Sequence, residues 1–394
     1  MKDDKKEIMP LSTRKKILFS LITLFFLWFI LDISLYVFLN ILQKKYNIFF
    51  AFRIPNTKEL EGYANKYYHF KWGWDIFPEM KGEFGNRKGR IYPKKDVYTI
   101  KTFGDSYTYA DGVNDNETWE YYIEEKTGWE CLNFGVLGFG TDQALIKYKD
   151  IPVRTRYTIL AILDENIGRV MCQWWGFYRE GGVGIKPKFV MDKNGSIRLL
   201  ENPIRSKEEV KKLGDINFLN ELKKDDYWYN FYLKLGGPER LSWPATLMIL
   251  RHIKFFINYA KIYIAHVILP TYESETTIKK FYHLYDKDSE GIKIMKFIVD
   301  EFIKTAKERK ETPIIVIFPI SHTVNIYKKF HKKPHESLIE YLKGIGCNYI
   351  DFTDILVNED YLRYYQNKDG HFTKEGNQRV ADVIVTYIKK LSLK

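Results

Sequence analysis

From Ile17 to Leu42 the chain reads ILFSLITLFFLWFILDISLYVFLNIL, and no other stretch limits the fold as much. At about 1.5 Å of rise per residue, these roughly 26 residues make a helix of about 39 Å, enough to cross a hydrocarbon core of about 30 Å with some tilt. A cleaved signal peptide carries an apolar region of only about 7–15 residues before a small-residue cleavage site. Here Gln43-Lys44-Lys45-Tyr46 follows instead, so an uncleaved anchor is expected. Lys2, Lys5, Lys6, Arg14, Lys15 and Lys16 precede the run, and Lys44, Lys45, Arg53 and Lys58 follow it. That bias puts the N-terminus in the cytoplasm and the C-terminal domain on the extracytoplasmic or periplasmic side of a cytoplasmic (inner) membrane, crossed once.

Asp32 is the one charge inside the run. A carboxylate at mid-span costs about 2.5–3.5 kcal/mol, so it either meets a partner helix, with a second integral-membrane protein as one source, or is tolerated as a single defect. Ala245–Leu269 is also apolar but is interrupted by Arg251, His252, Lys254 and Lys261. It reads as an amphipathic helix, packed on the domain or lying on the membrane surface.

The remainder has ordinary globular composition, with 45% hydrophobic and 28% charged residues, which excludes a disordered or collagen-like chain. Three cysteines without a CxxC pair exclude a dense disulfide framework and argue against a Cys-based zinc site, while leaving room for one bridge between two of Cys131, Cys172 and Cys347. The net charge of +12 comes from lysines scattered along the whole chain, without a nucleic-acid-binding motif. It reads as a solvated basic surface, and no nucleic-acid partner is expected.

Short β-rich runs alternate with helical ones beyond the anchor. Val97–Phe103, Glu130–Phe134, Thr158–Leu163, Pro313–Phe318 and Asn348–Phe352 are the expected strands. Glu117–Lys126 (stopped by Gly128), Thr141–Lys149 and Lys374–Leu391 are the helices between and after them. Such spacing gives βαβ crossovers, hence an α/β fold with a mainly parallel sheet. The domain plan is a cytoplasmic tail (1–16), the span (17–42), a connecting and wrapping segment (43–96) and one α/β domain (97–394). From about 170 to 300 the rhythm breaks into an insertion or cap, which includes a hairpin signal at Lys193-Asn194-Gly195.

The first strand ends in Gly104-Asp105-Ser106, and open α/β sheets place ligands at that carboxyl edge. Gly104 permits a tight turn, and the Ser106 amide is free to donate to an oxyanion. The second strand runs into Asn133-Phe134-Gly135-Val136-Leu137-Gly138-Phe139-Gly140, where a backbone amide can approach a bound group. The third ends in Leu163-Asp164-Glu165-Asn166, which brings a side-chain amide to the same edge, and Asp369-Gly370-His371-Phe372 supplies a base beside a carboxylate.

In these four segments the sequence resembles the SGNH/GDSL hydrolase family, over about residues 97–166 and 313–391. GDSYTYADGV is similar to the family's first block, NFGVLGFGT to the second, DENI to the third and DGHFTKEGNQRVADVI to the last. The resemblance implies a flavodoxin-like three-layer αβα sandwich and ester hydrolysis or acyl transfer without a metal or organic cofactor. Ser106 would be the nucleophile, His371 the general base and Asp369 its orienting carboxylate. The Ser106 and Gly138 amides and the Asn166 side chain would form the oxyanion hole. The expected substrate is an acyl, foremost acetyl, ester of a cell-envelope glycan, with membrane lipid around the anchor. An alternative is an accessory subunit of a membrane complex that keeps this fold with relaxed chemistry, motivated by Asp32, the insertion, Asp164 and Ile167 beside Asn166, and the one-residue gap between Asp369 and His371.

Several other residues have plainer readings. Glu165 and Arg169 read as a surface ion pair one helical turn apart. His331 and His335 have the i,i+4 spacing of metal ligands, but Pro334 lies between them and no third ligand stands out. Trp174, Trp175, Phe177 and Tyr178 read either as core or as a platform for sugar rings.

Overall fold

The structure is a computed structural model that describes residues 12–46, 52–89, 98–179, 182–268, 282–366 and 370–393. In chain order the elements that matter here begin with α1 (Thr13–Tyr46), β1 (Tyr98–Phe103), α2 (Ser106–Tyr109), α3 (Trp119–Thr127), β2 (Cys131–Asn133) and α4 (Thr141–Asp150). Next come β3 (Thr155–Leu163), α5 (Asn166–Val170), β4 (Lys188–Met191), β5 (Ile197–Leu200), α6 (Ala245–Arg251) and α7 (Ile253–Ile268). The last are α8 (Glu290–Glu308), β6 (Thr312–Phe318), β7 (Tyr349–Asp351) and α9 (Lys374–Leu391). All five expected strands are present within a few residues of their expected bounds, and α9 has the bounds read from the sequence.

The chain divides into two compact units, Met1–Arg53 with Asn230–Ile264, and Ile54–Tyr229 with Ala265–Lys394. The stretch from about 170 to 300, read as one insertion on the sheet, is therefore shared between them, and residues 230–264 group with the N-terminal helix.

In the second unit β1, β2, β3, β6 and β7 form one parallel sheet, in the order β2-β1-β3-β6-β7. Numbered among themselves the strands lie 2-1-3-4-5, the flavodoxin-like order, whose direction reverses between the first and third strands. The long strands β3 and β6 read TRYTILAIL and TPIIVIF because both of their faces are covered. Ile159, Ala161, Leu163, Ile314, Val316 and Phe318 point into one apolar layer, shared with Trp119 and Ile123 of α3 and with Val380, Ile384 and Ile388 of α9. On the other face Phe103 stacks on Phe134 and meets Tyr148 of α4, which packs on Phe302 of α8. The result is the expected three-layer αβα sandwich. Gly128 ends α3 in the left-handed conformation (φ 71°), and β4 and β5 pair as the antiparallel hairpin expected around Lys193-Asn194-Gly195.

The sheet also buries charge. Lys101, in the middle of β1, is fully enclosed and donates to Glu311 (2.8 Å), while Lys147 donates to Asp75 (2.8 Å).

In the first unit, α1 is long and apolar enough to cross a membrane from Thr13 to Ile41. Asp32 on this helix is fully enclosed and faces α6.

Candidate active site

The site is assembled at the carboxyl edge of the sheet, where the strand order reverses. Leaving β1, the chain turns at Gly104, where a Cβ would come within 2.1 Å of Thr108 Oγ1 and 2.8 Å of Ala161 O, so only glycine fits. Asp105 then caps α2 by accepting the Tyr107 N–H (2.9 Å), which leaves Ser106 as the first residue of that short helix. The Ser106 N–H has no hydrogen-bond partner among the described residues and is available to a ligand.

His371 comes to this edge from the last segment, and its Nε2 lies 2.8 Å from Ser106 Oγ. Two contacts fix the backbone beside it. Tyr107 OH donates to Gly370 O (2.6 Å), and the Gln366 N–H donates to His371 O (2.7 Å). Serine and histidine are thus held through neighbouring residues, with the Tyr107 ring 5.3 Å from the imidazole. Asp369, expected to orient His371, lies outside the described residues.

The loop after β2 is clamped around Gly138. Asn133 Nδ2 donates to Thr108 O (2.7 Å), and the Val136 N–H donates to Gly104 O (3.1 Å). Trp74 Nε1 donates to Leu137 O (2.9 Å), and Arg169 Nη1 donates to Phe139 O (3.2 Å). Gly138 itself is left-handed (φ 74°), and its N–H has no partner among the described residues. Asn166 starts α5 at the end of β3 and is almost completely buried, with Oδ1 unpaired among the described residues. The four expected residues other than Asp369 thus fall on the loops after β1, β2 and β3 and on the segment before α9.

Arg169 has a different place from the surface ion pair expected of it. It is buried and binds Glu165, Asp105 Oδ2 (3.1 Å) and Phe139 O, so one guanidinium ties together the loops that carry Ser106, Gly138 and Asn166. Burial pushes the Asp105 carboxyl up from the ordinary carboxylate range, and Arg169 pulls against that shift. Asp164 is buried as well, its titration pushed up to about 7, and it receives the Ile320 N–H on both oxygens (3.3 Å). A carboxylate at this position therefore joins the end of β3 to the loop after β6.

Beside Gly138 opens a cavity of about 570 Å³ walled by Tyr67, Trp74, Phe77, Leu137 and Trp175. Of the four aromatics after Asn166 only Trp175 reaches it, since Trp174 and Phe177 are buried in the core. The other wall comes from residues 63–80, which the sequence presented only as an aromatic wrapping segment.

His331 and His335 do not converge on a metal site. His331 is exposed at a helix C-terminus, whereas His335 is buried 3.4 Å from the Asp351 carboxylate. No cluster of three potential metal ligands occurs among the described residues. The three cysteines are free thiols.

No protein-family model matches the sequence, and no curated protein matches it. Among solved structures, the chain is similar to a putative lipolytic protein of the G-D-S-L family from Desulfitobacterium hafniense DCB-2. Identity is 10%, the TM-score is 0.35, and the match covers 73% of this chain and 98% of that one. It is also similar to the psychrotrophic esterase EstA from Pseudoalteromonas sp., at 12% identity and TM-score 0.34, over 75% and 99% of the two chains. A third is a member of the lipolytic G-D-S-L family from Veillonella parvula DSM 2008, at 12% identity and TM-score 0.32, over 72% and 94%. What the site does is accordingly read from its own geometry.

Proposed function

We propose that the chain is a membrane-anchored serine esterase or O-acyltransferase acting on acyl, foremost acetyl, esters of a cell-envelope glycan. The observation that carries this reading is the 2.8 Å contact of Ser106 Oγ with His371 Nε2 at the sheet edge, within a set of loops where two backbone amides have no partner among the described residues. In the reactive tautomer Nε2 accepts the Ser106 hydroxyl proton while Oγ attacks the ester carbonyl carbon. The negative charge that develops on the carbonyl oxygen is met by the Ser106 and Gly138 N–H groups and by the Asn166 side-chain amide. His371 then gives the proton to the leaving alcohol as the C–O bond breaks, leaving an acyl-Ser106. Water or an acceptor hydroxyl attacks that acyl group by the same steps in reverse, which makes the outcome hydrolysis or transfer. Asp369 is assigned the orientation of His371. The aromatic cavity next to Gly138 supports a sugar-bearing substrate, because Trp and Tyr faces stack on the apolar faces of a sugar ring.

The test is labelling of the purified full chain by a serine-reactive fluorophosphonate, alongside Ser106→Ala and His371→Ala. Labelling is expected in the parent and should be lost in both variants, with unchanged thermal unfolding. Well-folded parent protein that stays unlabelled, and releases no acetate from an acetylated glycan, would overturn the enzymatic reading in favour of an accessory subunit.

A further inference from the structure

Asp32 has found its partner inside its own chain. Its carboxylate receives the N–H groups of Ala245 (3.1 Å) and Thr246 (2.7 Å) and the Thr246 hydroxyl (2.7 Å), and Trp28 Nε1 donates back to Thr246 Oγ1 (3.0 Å). Ala245 and Thr246 are the first residues of α6, and the N-cap is Pro244, which has no side-chain acceptor to offer. The first amides of a helix need an acceptor, so Asp32 supplies from α1 the cap that α6 lacks.

The direction of α6 follows from its other contacts. Its start meets Trp28 and Asp32, and Met248 and Ile249, further along, pack with Leu35, Tyr36 and Leu39. α6 therefore runs alongside α1 toward the C-terminal end of α1. Just before α6, the Trp243 ring meets Phe29, with centroids 6.3 Å apart. Phe29 is the midpoint of the Ile17–Leu42 run, about 20 Å from either end at 1.5 Å per residue. Leu247 and Leu250 on α6 and Ile253 and Ile257 after it leave large apolar side chains exposed, as do α1 residues such as Leu24, Leu31 and Phe38.

We propose that residues 236–253 form a re-entrant element of the membrane. The chain descends to the bilayer centre at Trp243, is caught there by Asp32, and returns along α1 to the outer surface. This inference rests on α1 spanning the bilayer. The occupant of the exposed α6 face is lipid acyl chains, because that face continues the apolar surface of the span. Arg251 at the outer end of α6 and Lys254 at the start of α7 are exposed, where long basic side chains reach the headgroups.

The test uses the full chain in phosphatidylcholine–phosphatidylglycerol vesicles, with its native cysteines replaced and a single environment-sensitive fluorophore at Leu247→Cys, Leu24→Cys or Lys211→Cys. Lipids with a nitroxide at carbon 12 or carbon 5 act as deep and shallow quenchers, and iodide as the aqueous one. For Leu247→Cys, quenching at carbon 12 should exceed quenching at carbon 5, iodide should have no effect, and the Lys211→Cys label should answer only to iodide. Introducing Asp32→Leu should bring the deep-to-shallow ratio below one, whereas Asp32→Asn, which still offers an acceptor oxygen, should preserve it. Shallow or aqueous quenching at Leu247→Cys would overturn re-entry, and protection from all three quenchers would overturn lipid as the occupant. Failure of the Leu24→Cys label to meet any nitroxide would instead remove the span itself.

Discussion

Arg169 lies one helical turn from a glutamate, and local spacing alone makes the pair look decorative. In the folded chain its guanidinium reaches Asp105, 64 residues earlier in sequence, and the carbonyl of Phe139. Its removal leaves Asp105 as an uncompensated buried carboxylate. We expect Arg169→Met to lower stability by about 3 kcal/mol and to reduce ester turnover, measured by thermal unfolding and by acetate release. Arg169→Lys should recover only part of either, because one ammonium cannot serve three acceptors in different directions. The positions of Ser106, Asn166 and His371 were legible from turns and strand ends, which are local signals, whereas the choice of Gly138 within its glycine-rich loop came from the family resemblance. Arg169 was not, since no periodicity announces that two distant loops share a cation. Lys101 is the same case in a strand, where a charged residue reads as solvent-facing until its partner Glu311, 210 residues on, is known.

At the scale of elements, the alternation of short strand-like runs with helical ones marked all five strands, and the stop at Gly128 marked the end of α3. α3 adds a titrating group to that framework. Glu120 on its buried face accepts from Thr102 Oγ1 on β1 (2.8 Å), and burial pushes its carboxyl up to about 8 from an ordinary 4.5. Below pH 4.5 the folded and unfolded chains both hold the proton and nothing is lost. Between pH 4.5 and 8 the unfolded chain releases its proton first, so stability falls as pH rises. Glu120→Gln keeps a neutral partner for Thr102 and removes that slope. Denaturant unfolding should find the variant more stable than the parent at pH 8.5, with the gap closing toward pH 4.5. An undiminished gap at low pH would mean that packing, not titration, sets the difference. The grouping of α6 with α1 escaped the sequence for a physical reason: amphipathic patterning says that a helix has an apolar face, and nothing about which surface covers it.

For the whole molecule, the orientation proposed from the charge bias around α1 would put the sheet and its site outside the cytoplasm. In a bacterial host, alkaline phosphatase fused after Lys394 should be active and green fluorescent protein fused there should be dark. The opposite pattern would place the site in the cytoplasm, out of reach of envelope esters. The re-entrant element leaves that orientation unchanged, because a segment that enters and leaves by the same face does not add a crossing.

The partnership of Asp32 with α6 also sets an order in time. The carboxyl leaves the ribosome 213 residues ahead of Ala245. At a synthesis rate of about 5–20 residues per second, roughly 10–40 s pass before its partner exists. During that interval Asp32 lacks the donors that the first turn of α6 supplies, so a chain cut short before residue 245 leaves that carboxyl without them.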